Sequence, residues 1–341
     1  MLASLVFASC GAEVDAQRFT ASSRAAVKAG VADAERTEVV AILGEAPLPG
    51  LCSGSLIAPN VVLTARHCVS ELIGSGIVCA DEAVSGTTFI ATRARDPEPP
   101  GSLSVTQVAD LNTSTPPPFV AVKEVRAPIG NDTPVCGNDL AILILAQPIP
   151  TARLVPLRTS AVTAGEELTA VGFGSDGAQQ QSAGVRRVRT GVPVAALGVL
   201  RNSAGRVSVT ENDFVMAGPC GGDSGGPALD VAGMGVGIMS RGSPTACEQT
   251  VYTQVAPHHA WLAAEVRAAT ADAGIESPPW ARSAEPDAGV DAGVDAGAEP
   301  ETPTIIPGAG ETLGPPVGCA TGPSAALLLG VLAFLCRRGR A

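Results

Sequence analysis

Gly221-Gly222-Asp223-Ser224-Gly225-Gly226-Pro227 sets one serine among four glycines, directly after Cys220. Glycine accepts positive φ and lets a backbone approach a ligand closely. In such a run the N–H groups of Gly222 and Ser224 can turn toward one point, which is what stabilising an oxyanion requires. A flexible surface loop can be equally rich in glycine. It has no need, however, of Asp-Ser at its centre or of a cysteine holding its start. The run marks Ser224 as a candidate nucleophile and calls for a base and an orienting acid elsewhere in the chain.

Few residues can supply the base, because the chain has only 3 histidines. His258 and His259 are neighbours at the start of a predicted helix and are expected to be solvated. His67 follows the apolar run Val61-Val62-Leu63-Thr64 and adjoins Cys68, where a disulfide would fix the backbone beside it. Alone, His67 reads as a structural histidine; together with the serine run it reads as a base. The acid is sought in Asn138-Asp139-Leu140-Ala141-Ile142-Leu143. A carboxylate at the head of a buried apolar strand needs a partner for its charge. An imidazole N–H would serve, and would set the tautomer that accepts a proton from serine. A surface aspartate in a turn is the alternative.

Taken together, Thr64-Ala65-Arg66-His67-Cys68, Asp139-Leu140-Ala141-Ile142 and Gly222-Asp223-Ser224-Gly225-Gly226-Pro227 resemble the motifs of the chymotrypsin-like (trypsin-like) serine proteases, in that family's order of His, Asp and Ser. The likeness covers roughly residues 27–268 and includes Cys52-Ser53-Gly54-Ser55-Leu56-Ile57 and Val251-Tyr252-Thr253-Gln254-Val255. It implies an all-β fold of two six-stranded antiparallel Greek-key β-barrels with a C-terminal helix. It also implies an endopeptidase acting on proteins or peptides through an acyl-enzyme, without a cofactor. Ser224 would be the nucleophile, His67 its base and Asp139 the orienting acid, with the amides of Gly222 and Ser224 as the oxyanion hole. Ser240 matches a family serine that supports the buried aspartate. The resemblance further implies disulfides Cys52–Cys68 and Cys220–Cys247; Cys79–Cys136 then follows by elimination. A non-catalytic adhesion or binding module on the same fold is the rival reading, although no triad member is missing.

The chain departs from the family pattern at several positions. Six residues before the nucleophile, where trypsin-like members carry an aspartate for Arg or Lys, stands Gly218, and the pocket walls fall near Gly242 and Thr250. A pocket without charge predicts uncharged P1 residues, with Thr250 shortening the slot. Activation in the family needs a new N-terminus that pairs with the aspartate preceding the nucleophile, here Asp223. The nearest match to the start of a mature chain is the degenerate Val27-Lys28-Ala29-Gly30, and the activating protease is unknown. Arg66 puts a cation beside His67, expected to lower its pKa. Arg241 replaces a usual tryptophan and removes an aromatic wall from the groove.

The rest of the chain fits one domain with appendages. Val39–Leu43, Ser53–Ala58, Val61–Thr64, Leu140–Leu145, Leu168–Gly172, Ala228–Leu229 and Gly235–Met239 are short, β-branched runs bounded by turn residues, and read as strands. Pro257–Ala269 reads as the one convincing helix. Residues 95–118, rich in Pro and polar side chains, read as a long excursion without regular structure. The expected organisation is a signal and propeptide segment over 1–26, the protease domain over 27–269, an acidic Ala/Gly/Pro-rich linker over 270–317, and a sorting or anchor segment over 318–341. The linker contains Asp287-Ala288-Gly289-Val290 and its repeat, read as a solvated spacer rather than a calcium site.

A net charge of −11 without a basic stripe argues against nucleic acid as a partner. No metal site is expected, since the chain lacks H-E-x-x-H and two of its three histidines are adjacent. Six of the nine cysteines fall within the domain without a C-x-x-C pair, which favours disulfides in an oxidising compartment and hence export of what is taken to be a monomer. The apolar run Leu2–Ser9 before Cys10 resembles the end of a lipoprotein signal; an ordinary signal peptide cut near Ala12 or Ala16 is the alternative. Cys319 precedes the apolar run Ser324–Cys336 and a basic end, resembling a myxobacterial type of sorting tail. That run is short of the about 20 residues a stable membrane span needs. Localisation at the cell surface or outer membrane follows as an expectation.

Overall fold

Short β-branched runs closed by turn residues dictate strands, and these fill the computed structural model of the protein. The structure describes residue 27 and residues 30–282, apart from 46–49, 74–78, 80–92, 114, 116, 129–132, 150–152, 176–182, 202–206, 243–246 and 248. The expected leader with Cys10, the Asp-Ala-Gly-Val repeat and the C-terminal segment with Cys319 lie outside the described residues.

Six strands form a closed barrel: β2 (Val39–Gly44), β3 (Cys52–Ala58), β4 (Val61–Thr64), β7 (Leu103–Thr106), β8 (Val120–Arg126) and β10 (Ala141–Leu145), in the order β10-β4-β3-β2-β7-β8. Every residue of β3, β4 and β10 is buried, as runs such as Ala-Ile-Leu-Ile-Leu require. A second antiparallel sheet follows the order β1-β12-β11-β17-β18-β19-β16-β13. Its six longer strands are β11 (Glu167–Gly172), β12 (Arg187–Pro193), β16 (Asp213–Met216), β17 (Pro227–Leu229), β18 (Gly235–Gly242) and β19 (Thr250–Gln254). The two-residue strands β1 (Val31–Ala32) and β13 (Ala196–Leu197) extend its edges. Smaller ribbons pair β5 (Ser70–Ile73) with β6 (Arg93–Pro97) and β9 (Thr133–Pro134), and β14 (Leu200–Arg201) with β15 (Val207–Val209). The two-barrel plan with a single C-terminal helix is the expected one. The apolar core of the first barrel continues into Val171, Leu229 and Ile238 of the second sheet and Phe173 just beyond β11, so the two halves meet along a common seam.

Two local readings are corrected. Residues 95–118 are not without regular structure, because β7 closes the first barrel between β2 and β8. Leu103 and Val105 point into the core at period 2. The prolines that obscured this strand sit outside it, with Pro100 opening a 3-10 turn over Pro100–Ser102. The helix is also displaced: Pro257 lies in a 3-10 turn (Ala256–His258), and α1 runs from His259 to Asp272. Leu262 and Val266 bury its apolar face against the first barrel, and Asn60 Nδ2 donates to the Ala269 carbonyl at 2.9 Å. Beyond it the chain stays packed to Arg282. Trp280 Nε1 donates to the Ile57 carbonyl at 3.2 Å, and Ala281 is fully buried.

Candidate active site

Strand register brings the sequence-distant residues together. Ala141 of β10 pairs antiparallel with Thr64 of β4, so Asp139, two residues upstream, faces the segment that follows Thr64. There Ala65 is still extended and Arg66–Cys68 forms one 3-10 turn carrying His67. The turn is anchored by the Cys52–Cys68 disulfide, with Cα atoms 6.1 Å apart. Asp139 is fully buried and its carboxylate is saturated with donors. Oδ1 accepts the His67 backbone N–H at 2.9 Å, while Oδ2 accepts the His67 Nδ1–H at 2.7 Å and the Ser240 hydroxyl at 2.6 Å. Burial alone would raise its pKa, but the imidazole and these donors hold it below the ordinary carboxylate value. Burial would likewise depress His67, yet the Asp139 charge and hydrogen bond hold it above its usual value.

The serine run lies across the seam. Ser53 of β3 reaches it two ways: its N–H donates to the Ser224 carbonyl at 2.7 Å and its hydroxyl donates to the Gly222 carbonyl at 3.0 Å, while the same hydroxyl accepts the Phe173 N–H at 2.9 Å. Gly225 is pressed against β3 and β4 so closely that a Cβ there would meet Thr64 Oγ1 at 2.1 Å. These contacts put Ser224 beside the chain that enters the His67 turn. Gly222 has φ of +95°, a left-handed value that favours glycine. The amides of Asp223, Gly225 and Gly226 donate to the carbonyls of Cys220, Met239 and Asp223, whereas those of Gly221, Gly222 and Ser224 have no protein acceptor among the described residues. The Ser224 hydroxyl also has no partner there; hydrogen bonds between nucleophile and base are often long before substrate is present.

Residues 39–262 match the family model described as Trypsin. The chain belongs to the trypsin family of serine proteases. It is 28% identical over 238 residues to phenoloxidase-activating factor 3 of Holotrichia diomphalia, covering 63% of this chain and 64% of that protein's length. With brachyurin of Leptuca pugilator it shares 32% identity over 209 residues, 58% of this chain and 78% of the relative. With chymotrypsin-like elastase family member 1 of Homo sapiens it shares 26% over 230 residues, 62% and 79% of the two chains.

Within this trypsin-family chain all three expected disulfides are present, Cys79–Cys136 and Cys220–Cys247 having Cα separations of 5.6 and 5.1 Å. The Cys52 and Cys68 sulfurs lie within 4.8 Å of a His67 ring nitrogen, but their mutual bond uses the thiolates a metal would need. Of the residues expected at the pocket, Gly242 faces Thr250 across β18 and β19, and the buried Thr250 hydroxyl donates to the Pro219 carbonyl at 3.0 Å. Thr250 thus ties β19 to the segment that precedes Cys220. Gly218 has φ of +116°, and the space its side chain would fill is bounded by Arg189 Nη1 at 3.2 Å and Val27 Cγ1 at 3.4 Å. Arg189 was not foreseen, because it lies on β12, far from the motifs.

Three further expectations change. His258 and His259 are half-buried rather than freely solvated: His258 Nε2 donates to the Gly137 carbonyl at 2.9 Å, and the ring of His259 packs edge-on against Trp280 at 5.6 Å. Arg66 does not perturb His67. It is buried, donates to the Arg95 carbonyl at 3.1 Å, and shares its field with Asp96 and Asp139. The cation that opposes protonation of His67 is Arg241. Arg241 does not merely vacate the groove either, since its guanidinium turns inward onto the buried Asp213, with Nη2 2.7 Å from Oδ2.

Asp223 is fully buried and accepts the N–H groups of Gly174 at 2.7 Å and Cys220 at 2.8 Å, without a salt bridge among the described residues. Burial outweighs these donors and the nearby Arg187 charge, raising its pKa to about 6. A folded-state value above the unfolded one gives stability that is complete below the unfolded pKa of 3.8 and is lost as pH rises through about 6. The expected loss is on the order of 3 kcal/mol between those limits. Unfolding free energies measured in denaturant from pH 4 to 7 should show this slope, and Asp223→Asn should abolish it. A flat profile for the unaltered chain would refute the assignment.

Proposed function

We propose that the protein is an exported serine endopeptidase with Ser224 as nucleophile, His67 as general base and Asp139 as the orienting acid. The observation that carries the reading is the coincidence of a saturated Asp139–His67 pair with two unsatisfied amides, at Gly222 and Ser224, on the facing loop. Ser224 attacks the scissile carbonyl as His67 Nε2 takes its proton. Asp139 keeps the other ring proton on Nδ1 and stabilises the imidazolium. The two amides receive the developing oxyanion. His67 then protonates the leaving amine, and water hydrolyses the acyl-enzyme by the same path.

Activation by cleavage before Val27 completes the proposal. Val27 is buried in the core of the second sheet, against Gly218. Its φ of +38° is one that a β-branched residue rarely adopts. Cutting the preceding peptide bond removes that constraint and creates an ammonium for Asp223. Six disulfide-bonded cysteines support an oxidising destination. No described helix is long and apolar enough to cross a membrane, and attachment through Cys10 or the C-terminal segment is part of the proposal.

Specificity follows from the slot. Gly218, Gly242 and Thr250 bring no carboxylate, and the Arg189 side chain borders the space beside Gly218. Processed protein assayed on peptides with Arg, Phe, Val or Ala at P1 should prefer the uncharged residues over Arg roughly tenfold or more. Gly218→Asp should not create Arg preference, because the new carboxylate would sit at φ of +116° and meet Arg189 first. Preference of the unaltered enzyme for Arg would overturn the neutral slot. Failure to cleave any peptide would favour a binding module.

A further inference from the structure

Arg241 and Asp213 form an ion pair that the family motifs do not account for. Both side chains are buried: Asp213 is fully inaccessible and the Arg241 side chain is 8% exposed. A desolvated pair of this kind rarely stabilises more than apolar residues of the same volume. Its presence at this place is better explained by the geometry it imposes. We propose that the Arg241–Asp213 pair is a positioning device for Asp139, fixing both the hydroxyl that binds this carboxylate and the loop that carries it. The proposal rests on the protease reading above.

The hydroxyl comes first. Arg241 Nη1 donates to Ser240 Oγ at 3.2 Å, and Ser240 Oγ donates to Asp139 Oδ2 at 2.6 Å. A guanidinium has donors only, and a hydroxyl has one proton. With Arg241 on its lone pair, Ser240 has its proton committed to Asp139. Nη2 of the same guanidinium is held by Asp213 Oδ2 at 2.7 Å, so the fork has one orientation.

The loop is the second part. Asp213 Oδ1 accepts the N–H of Gly137, two residues before Asp139, at 3.2 Å, and the Thr253 hydroxyl at 3.3 Å. Asp213 Oδ2 also accepts the Thr210 N–H at 3.0 Å and its hydroxyl at 2.8 Å. From the other side, the Gly137 carbonyl receives His258. Arg241 Nη2 lies 3.7 Å from Cys79 Sγ, whose disulfide partner Cys136 begins the same loop. One buried carboxylate on β16 therefore sets the height of Asp139, and one guanidinium on β18 sets the proton that Asp139 receives.

The test is a double-mutant cycle on processed full-length protein, with kcat expressed per site titrated by a serine-directed organophosphonate. Arg241→Lys keeps the charge opposite Asp213 but loses the fork. It should lower kcat about tenfold and leave KM within about twofold, because substrate is not touched. In a Ser240→Ala background the same change should alter kcat less than about twofold, since Arg241 acts through that hydroxyl. An equal loss in both backgrounds would reduce the pair to a structural role and overturn the proposal, as would full activity of Arg241→Lys alone. If Arg241→Lys yields no titratable protein, Asp213→Asn reads the pair from its other end: because Asp213 also holds the Gly137 N–H, its loss of kcat should shrink but not vanish in the Ser240→Ala background, and a loss equal in both backgrounds would overturn the proposal. Unaltered protein that takes up no phosphonate would refute the protease reading itself. Titratable protein indifferent to these changes would refute only the role of the pair.

Discussion

Ser224→Ala is expected to lower kcat about 10⁶-fold, a magnitude that belongs to serine triads in general rather than to this molecule's geometry. The structure adds the reason why the fold should survive. The contacts that hold residue 224 are made by its backbone: its carbonyl accepts the Ser53 N–H, and the neighbouring Gly225 N–H donates to Met239. The hydroxyl has no partner among the described residues, so its removal breaks no native hydrogen bond. The amides of Gly222 and Ser224 remain, and residual turnover about 10³–10⁴ above water should persist through them. Steady-state kinetics and a thermal melt on the same preparation check both parts. A large loss of activity accompanied by a collapsed melting temperature would assign Ser224 to structure instead.

Asp139→Asn is expected to cost about 10⁴ in kcat, again the general figure for a triad whose imidazole is held in the wrong tautomer. Here the error can be traced atom by atom. Asp139 faces three donors, the backbone N–H and Nδ1–H of His67 and the Ser240 hydroxyl, and asparagine has one acceptor oxygen for them. If that oxygen takes the backbone N–H, the new NH₂ faces Nδ1 and Ser240. Nδ1 must then become the acceptor, which moves the ring proton to Nε2, where the base should be vacant. Ser240 can accept from that NH₂ with its second lone pair, but its proton then loses its acceptor, and Arg241, a donor only, cannot replace it. Stability should fall as well, since the position is fully buried. The checks are a pH–rate profile, in which the limb belonging to His67 should disappear, and ¹⁵N spectra of its ring. A variant within about tenfold of the parent, with an unchanged profile, would remove Asp139 from the mechanism.

What could be read in advance follows the distance over which each interaction acts. The surroundings of His67, Asp139 and Ser224 are local: a turn after a strand, a carboxylate before one, a serine between glycines. Cys52, Cys68 and Cys220 sit in those same segments. The strands of the first barrel were visible wherever apolar runs were unbroken, and hidden at Leu103–Thr106, where prolines surround four residues of period 2. Ser53 is small and uncharged, and nothing nearby in sequence shows that its hydroxyl joins Phe173 to Gly222. Asp213 and Arg241 were invisible as a pair because 28 positions of sequence separate them and β19 lies between their strands in the sheet. The same ignorance of side-chain direction assigned to Arg66 the electrostatic effect that Arg241 exerts.

The most direct test of the central claim is to treat processed protein with a serine-directed organophosphonate and locate the adduct by peptide mass spectrometry. One phosphonate per chain on the peptide carrying Ser224, lost in Ser224→Ala and in His67→Ala, is the result predicted. No adduct on correctly processed protein, or an adduct that persists at another residue in Ser224→Ala, would contradict the account.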